Sequence, residues 1–307
     1  MANKNRTINI IGANIGLGSG TKGASLGPDA IRIAGLHQSL DRLGFKYKDS
    51  GNLPCLEEPY PVKDFPQGHI RYLDEIQSFL TELKSRVLKA YESDEMPLIL
   101  GGDHCIAIAT LAASLEHGKS RNTKPGLLWF DAHADLNTDS SSPSGNIHGM
   151  PLSAALGHGH PGLLELFDGN YLSPDRCAII GVRSVDEEEA RVIEETGVRV
   201  YTMKEIDERG ALSCYQEALE IASPQGEPVH LSFDIDGVDE RFVPGTGTPV
   251  AGGLTLREAH LLLELLAEKA VLCAMDMVEV NPLLDNKNQT AEVSLHLIES
   301  ALGKRIY

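Results

Sequence analysis

Along the chain, short apolar runs alternate with longer stretches in which apolar positions recur every three or four residues. The short runs lie at 8–12 (INIIG), 96–102 (MPLILGG), 126–132 (GLLWFDA), 177–182 (CAIIGV), 198–202 (VRVYT), 229–236 (VHLSFDID) and 272–280 (LCAMDMVEV). Most are apolar throughout instead of alternating, the pattern of strands buried on both faces of a parallel sheet. The longer stretches, at 76–93, 106–116, 187–197, 215–223, 256–269 and 290–303, read as helices. Another helix begins within 27–44, where Pro28 suits the first helical turn. Alternation of this kind predicts an α/β fold, a three-layer α/β/α sandwich with a mainly parallel central sheet. No repeat or low-complexity tract breaks it. The Pro/Gly-rich segment 51–70 reads as a long surface connection, so residues 1–307 are expected to form a single domain.

Composition narrows the function classes. A net charge of −17 on 307 residues argues against a nucleic-acid binder, which needs basic patches for the phosphates, and favours small cationic partners. Cys55, Cys105, Cys177, Cys214 and Cys273 show no CxxC spacing. Cys105, Cys177 and Cys273 sit in apolar stretches, as buried free thiols do, and the set implies a reducing compartment. The N-terminus lacks a signal-peptide pattern, and no apolar run approaches the ~20 residues of a membrane span, so a cytoplasmic protein is expected. The Gly-rich stretch 12–27 follows the first strand but misses the GxGxxG dinucleotide fingerprint; it is read as a flexible rim of the site.

The chemistry collects where strands end. The 96–102 run leads into Asp103 and His104, the 126–132 run into Asp131, His133 and Asp135, the 229–236 run into Asp234 and Asp236, and the last run into Glu279. Ligands of open parallel sheets bind beyond the carboxyl ends of the strands. In extended backbone, alternate residues share a face. Asp131, His133 and Asp135 are therefore expected to converge, as are Asp234 and Asp236. Carboxylates crowded at a sheet edge repel unless a cation neutralises them. Five or more acids with two imidazoles suit two divalent metals, and the oxygen-rich set favours Mn²⁺ or Mg²⁺ over zinc. A lone DxD is more often a turn or cap; the joint occurrence at four strand ends is what points to a site. His158, His160, His230 and His260 lack this context and read as surface or core residues.

These residues resemble the arginase (ureohydrolase) family over nearly the whole chain. The likeness runs through GASLGPDAIR (23–32), GGDHC, DAHADLNT, SGNIHG, SFDIDGVD, PGTGTPVAGG and VEVNP (278–282). It implies two Mn²⁺ ions, one held by His104, Asp131, Asp135 and Asp234, the other by Asp131, His133, Asp234 and Asp236. It also implies hydrolysis of a guanidino group to release urea. Two such metals lower the pKa of a shared water and supply hydroxide to attack the guanidinium carbon. Glu279 is suited to hold the guanidinium by charge-assisted hydrogen bonds. Asp135 would orient the hydroxide and take its proton, and His148, which titrates near neutrality, would protonate the leaving amine.

Substrate choice rests on NTDSSSPSGNIHG (137–149). By the resemblance, Asn137, Ser144 and Asn146 would contact the α-carboxylate of an amino acid, Asp186 and Glu189 its α-amino group, and Thr248 the guanidinium end. Agmatinases resemble this chain less: they usually carry another loop there and a Glu where Val250 stands. L-Arginine is thus expected as substrate, with L-ornithine and urea as products, and a homotrimer or homohexamer as the assembly. Other ureohydrolases, an agmatinase or guanidinobutyrase, are the near alternative. A non-catalytic binding protein of this fold is opposed by the complete ligand set, and a related deacetylase-like hydrolase by the provision for two metals. Cys105, in place of a usual serine, and Glu240, in place of a common proline, depart from the family pattern beside the metal residues.

Overall fold

A computed structural model describes residues 6–54 and 70–304. Its centre is an eight-stranded sheet of β1 (Ile8–Ala13), β2 (Tyr47–Asn52), β3 (Met96–Gly101), β4 (Gly126–Phe130), β5 (Cys177–Val182), β6 (Arg199–Thr202), β7 (Pro228–Asp234) and β8 (Val271–Val278). The order is β2-β1-β3-β8-β7-β4-β5-β6, and the pairings are parallel. After β3 the chain skips two places to lay down β4, runs outward to β6, then returns to fill the gap with β7 and β8. The four runs whose ends carry acids and imidazoles thereby become adjacent as β3-β8-β7-β4.

Alternate strand residues feed two separate cores. Leu98, Leu100, Leu128, Phe130, Leu231 and Phe233 pack with the helices Leu36–Leu43, Ala211–Ala222, Leu256–Lys269 and Gln289–Ala301. On the opposite face Ile99, Leu127, Trp129 and Ile179 pack with Leu73–Glu92 and Ala107–Ser120. Helices on both faces explain why the central strands are apolar throughout. They make the expected three-layer α/β/α sandwich, and fix the strand ends rigidly.

Two expectations change. β2 was not anticipated, since YKDSGN is polar; it pairs with β1 at the sheet edge and is only partly covered, so no apolar pattern is required of it. The helix expected within 27–44 is two, Gly27–Ile33 and Leu36–Leu43, because Gly35 adopts φ 108°, a left-handed conformation that interrupts the helix. Cys55 and most of the 51–70 connection lie outside the described residues. Among the described residues no helix is long and apolar enough to cross a membrane, and Cys105, Cys177, Cys214 and Cys273 are buried free thiols.

Candidate metal centre

Each strand end delivers its side chains through a local break in regular structure. Beyond β3, Gly102 packs so closely on the loop after β1 that a Cβ would collide with the Ile15 carbonyl. Asp103 then caps the turn His104–Ile106 by accepting from the Cys105 amide at 3.1 Å. β7 ends at Asp234, whose Oδ1 accepts from the Asp236 amide at 2.8 Å and caps the turn Ile235–Gly237. β4 stops at Phe130, so Asp131, His133 and Asp135 do not converge by strand alternation as expected. They converge because the chain folds back: Asp131 Oδ1 accepts from the His133 amide at 2.7 Å, and Asp135 stands at φ 53°. Glu279, just past β8, stands at φ 61°. Left-handed backbone at two non-glycine residues costs of order 1–3 kcal/mol each, strain of the kind that collects at functional sites.

The side chains form two joined groups. His104 Nδ1 lies 3.1 Å from Asp131 Oδ2, 3.2 Å from Asp135 Oδ2 and 3.2 Å from Asp234 Oδ2. His133 Nδ1 lies 3.3 Å from Asp131 Oδ1 and 3.3 Å from Asp236 Oδ2. Asp131 thus turns one oxygen to each group. Donors octahedrally arranged about a small divalent cation at ~2.1 Å stand about 3 Å apart, which is the spacing seen here. His104 Nδ1 is buried and lacks a well-aligned hydrogen-bond partner despite three carboxylates around it, so its lone pair suits a cation among them. The residues present fit metal ions in both groups, as His104–Asp131–Asp135 and as Asp131–His133–Asp236.

The electrostatics agree. Burial, with the charge of Asp131, raises the Asp135 carboxyl from 3.8 to about 7. Asp234 and Asp236 are also raised by burial and by neighbouring carboxylates. Asp131 is lowered: burial opposes its charge, but the close His104 and His133 rings prevail. Burial would discharge His133, yet Asp131 and Asp236 push it up to about 12, and Asp131, Asp135 and Asp234 hold His104 well above its usual range. The crowded carboxylates thus favour bound positive charge, from protons or from cations.

Above the centre is a polar cavity of about 220 Å³. Its walls carry His133, Asp135 and Asp234 with Asn137, Ser144, Asn146, His148, Asp186, Glu189 and Thr248. Asn137, Ser144, Asn146, Asp186, Glu189 and Thr248 are therefore brought to one space, whereas Glu279, expected to hold the guanidinium, is not among its lining residues. Asn137 Nδ2 donates to Asp186 Oδ2 at 2.8 Å, and Thr248 Oγ1 donates to Asp236 Oδ2 at 3.1 Å. Asp186 is the N-cap of the helix Glu187–Thr196, in a capping box with Glu189. Both Glu189 oxygens are engaged, by the Leu136 and Asp186 amides at 3.1 Å each. Glu279 Oε1 is buried behind the cavity and accepts from the His104 amide at 3.0 Å and lies 3.2 Å from His148 Nδ1. Burial opposes a charged His148, but Glu279, Asp135 and Asp103 raise it to about 9.

Sequence reasoning gives no role to several contributors. Asp103 Oδ2 accepts from the Gly18 amide at 2.8 Å, and Gly18 O accepts from the His148 amide at 3.1 Å. The first half of the Gly-rich stretch, through Gly18, is buried and tied to Asp103 and His148, while residues 19–22 lie nearer the surface. Arg183 donates to the carbonyls of Asp236 at 2.6 Å and Val250 at 2.7 Å, tying the end of β7 to the loop that carries Thr248. Asp103 is visible in the sequence at a strand end, but its partner Gly18 is distant in the chain. Arg183 carried no signal, since its partners are main-chain atoms distant in sequence.

A parallel α/β sandwich with paired carboxylate–imidazole groups under a polar cavity is the architecture of a metal-dependent enzyme. Comparison with known proteins narrows the class. A profile of the arginase family matches residues 6–303. The arginase of Bacillus subtilis (strain 168) is 42% identical over 302 residues, covering 98% of this chain and 99% of that protein. The solved arginase of Bacillus caldovelox superimposes with a TM-score of 0.93 at 40% identity, over 98% of this chain and 100% of that one. An Entamoeba histolytica arginase solved with L-ornithine gives 0.86 at 30% identity, over 97% and 99%. The chain belongs to the arginase family.

Proposed function

We propose that this chain is an arginase, a hydrolase with two Mn²⁺ ions that converts L-arginine and water to L-ornithine and urea. The observation that carries it is the joining of two carboxylate–imidazole groups through Asp131 beneath a cavity lined by Asn137, Ser144, Asn146 and Asp186. Membership of the arginase family supports it, as does a relative whose complex contains L-ornithine. His104, Asp131, Asp135 and Asp234 would hold one ion, and Asp131, His133, Asp234 and Asp236 the other. The oxygen-rich donor set favours Mn²⁺. When bound, the ions supply an activated water and positive charge at the reacting centre.

The chain's own residues place the substrate. Asn137, Ser144 and Asn146 offer amide and hydroxyl groups to the α-carboxylate. Asp186, held by Asn137, faces the α-amino group, and Glu189 steadies Asp186 through the helix cap. Thr248 and Glu279 receive the guanidinium end, Glu279 by charge-assisted hydrogen bonds. The water oxygen bonds to the guanidinium carbon, and the bond from that carbon to the chain nitrogen breaks. Asp135 orients the water and takes a proton; His148, whose ring is protonated below about 9, protonates the leaving nitrogen. The oxygen's second proton passes to the freed amine as the carbonyl forms, and the proton on Asp135 restores His148, so urea and the ammonium form of ornithine result with charge conserved.

The reading extends to a cytoplasmic homotrimer or homohexamer, and the buried free thiols support a reducing compartment. The test is urea release from arginine, agmatine and guanidinobutyrate after chelation, with and without Mn²⁺. Arginine is expected to turn over fastest, and only with metal restored. Faster turnover of agmatine would replace the substrate assignment with another ureohydrolase, and no urea from any compound would leave a binding protein.

A further inference from the structure

Behind the metal centre the sheet carries a second polar network that the chemistry above does not use. Asp276 lies in β8 and is wholly buried, flanked in register by Ile99 of β3 and Ser232 of β7. His230, two residues before Ser232 on the same strand, shares its face. The helix Ala107–Ser120 covers this face and presents Thr110 and Ser114 one turn apart.

The hydrogen bonds converge on one atom. Asp276 Oδ2 accepts from Thr110 Oγ1 at 2.7 Å and from Ser232 Oγ at 3.4 Å, and lies 3.0 Å from His230 Nε2. Ser232 Oγ in turn lies 3.0 Å from His104 Nε2. On the far side, His230 Nδ1 lies 2.8 Å from Ser114 Oγ, which lies 2.7 Å from the Tyr91 hydroxyl. One proton order satisfies the whole chain. If His104 Nδ1 is to offer its lone pair to a cation, its proton must sit on Nε2 and be donated to Ser232 Oγ. The Ser232 hydroxyl then gives its own proton to Asp276. His230 donates from Nε2 to Asp276 and accepts from Ser114 at Nδ1, and Ser114 accepts from Tyr91. The donors converge on Asp276 Oδ2, an arrangement suited to a carboxylate, while its Oδ1 is buried without a partner. An anion in the middle of an apolar sheet is costly unless donors and a nearby positive charge offset it.

We propose that Asp276 is a positioning residue of the metal centre, acting through Ser232 to fix the tautomer and ring orientation of His104 and so strengthen binding of the cation that faces its Nδ1. The proposal rests on the two-metal reading. It places a hydroxyl between carboxylate and imidazole, where metal sites commonly use a direct carboxylate–histidine contact. It assigns the network to the His104 group alone, since none of these contacts reaches His133.

The test is Mn²⁺ titration of the chelated full chain, following the free-ion signal by electron paramagnetic resonance, with melting temperature recorded metal-free. Wild type is expected to bind two ions. Asp276→Asn keeps the shape but sets an amide against three donors, and should weaken one ion about 10–100-fold while leaving the other close to wild type. Ser232→Ala, which keeps the carboxylate, should weaken the same ion, and it carries the test if Asp276→Asn melts early. The double variant should bind no more weakly than the worse single one, because the two groups act in series. Wild-type binding of both ions by Asp276→Asn, additive losses, or equal weakening of both ions in step with the melting temperature would overturn the proposal alone. A wild-type chain that binds no Mn²⁺ would overturn the metal reading, and this proposal with it.

Discussion

His148 joins two parts of the site that sequence leaves separate. Its ring lies 3.2 Å from buried Glu279 and lines the cavity, while its amide is held by Gly18. Glu279 keeps the ring charged in spite of its burial, so a proton donor stands ready at neutral pH. His148→Asn is expected to lower kcat by about 10²–10⁴-fold, the usual worth of a positioned acid–base group, with metal content unchanged. The ring loses its proton as pH rises through about 9, so activity limited by proton donation falls on that side. Bound cations offset the charge of Asp135 and move this limb downward. A pH–rate profile of the variant that keeps the wild-type basic limb would remove His148 from the reaction. Asp131 serves differently, as the carboxylate shared by both groups. Asp131→Ala should lose metal and urea release while its far-ultraviolet dichroism stays that of a folded sheet.

At the scale of elements, the first turn of the helix Glu187–Thr196 and its cap line the cavity over the metal residues. Glu189 accepts from the amides of Asp186 and Leu136, and so clamps the helix start to the segment just after the metal residues. Glu189→Ala leaves two amides without their acceptor and removes half of the capping box. A loss of about 2–4 kcal/mol follows from one cap and two unpaired donors. KM for arginine should rise more than kcat falls, because Asp186 loses its orientation while the metal residues keep theirs. Unchanged KM with a lower melting temperature would confine Glu189 to the fold. This dual role was only half legible. By itself DEEEA reads more readily as a helix start, and the family resemblance alone makes it a row of ligands; the amides of Asp186 and Leu136 occupy both oxygens of Glu189. The sheet itself was legible wherever strands are buried on both faces, since burial forces the apolar runs. β2 was not, because YKDSGN lies partly exposed at the sheet edge with no apolar run, whereas the other edge strand, β6, keeps Val200 and Tyr201. Asp131, His133 and Asp135 were found through a geometry the chain does not use. Their spacing showed that they belong together, but the turn and the positive φ of Asp135 that bring them together leave no mark in residue type.

For the molecule as a whole, the metal centre ties stability to pH. In the metal-free chain Asp135 holds its proton to about 7, whereas the unfolded chain releases it near 3.8. The stability from that proton is complete below 3.8 and is lost as pH rises through about 7. His133 extends the same sign upward: its contribution is complete below 6.5 and is lost as pH climbs toward about 12. Asp131, whose pKa is lowered, has the opposite sign, but its window lies below 3.8. From mildly acid to mildly alkaline pH the metal-free protein should therefore become steadily less stable. Metal binding runs the other way, since its ligands must be deprotonated and bound ions displace these protons. A site filled at 100 times its Kd adds about 2.7 kcal/mol, or roughly 5 °C in Tm for a chain of this size. The Tm increase on adding Mn²⁺ is accordingly expected to be small near pH 5.5 and at least that large near pH 8.5. Melting curves of the chelated and reloaded protein at the two pH values decide it. Equal shifts at both would count against Mn²⁺ binding at these residues, since each grouping of His, Cys, Asp or Glu placed to hold an ion among the described residues contains Asp135 or His133.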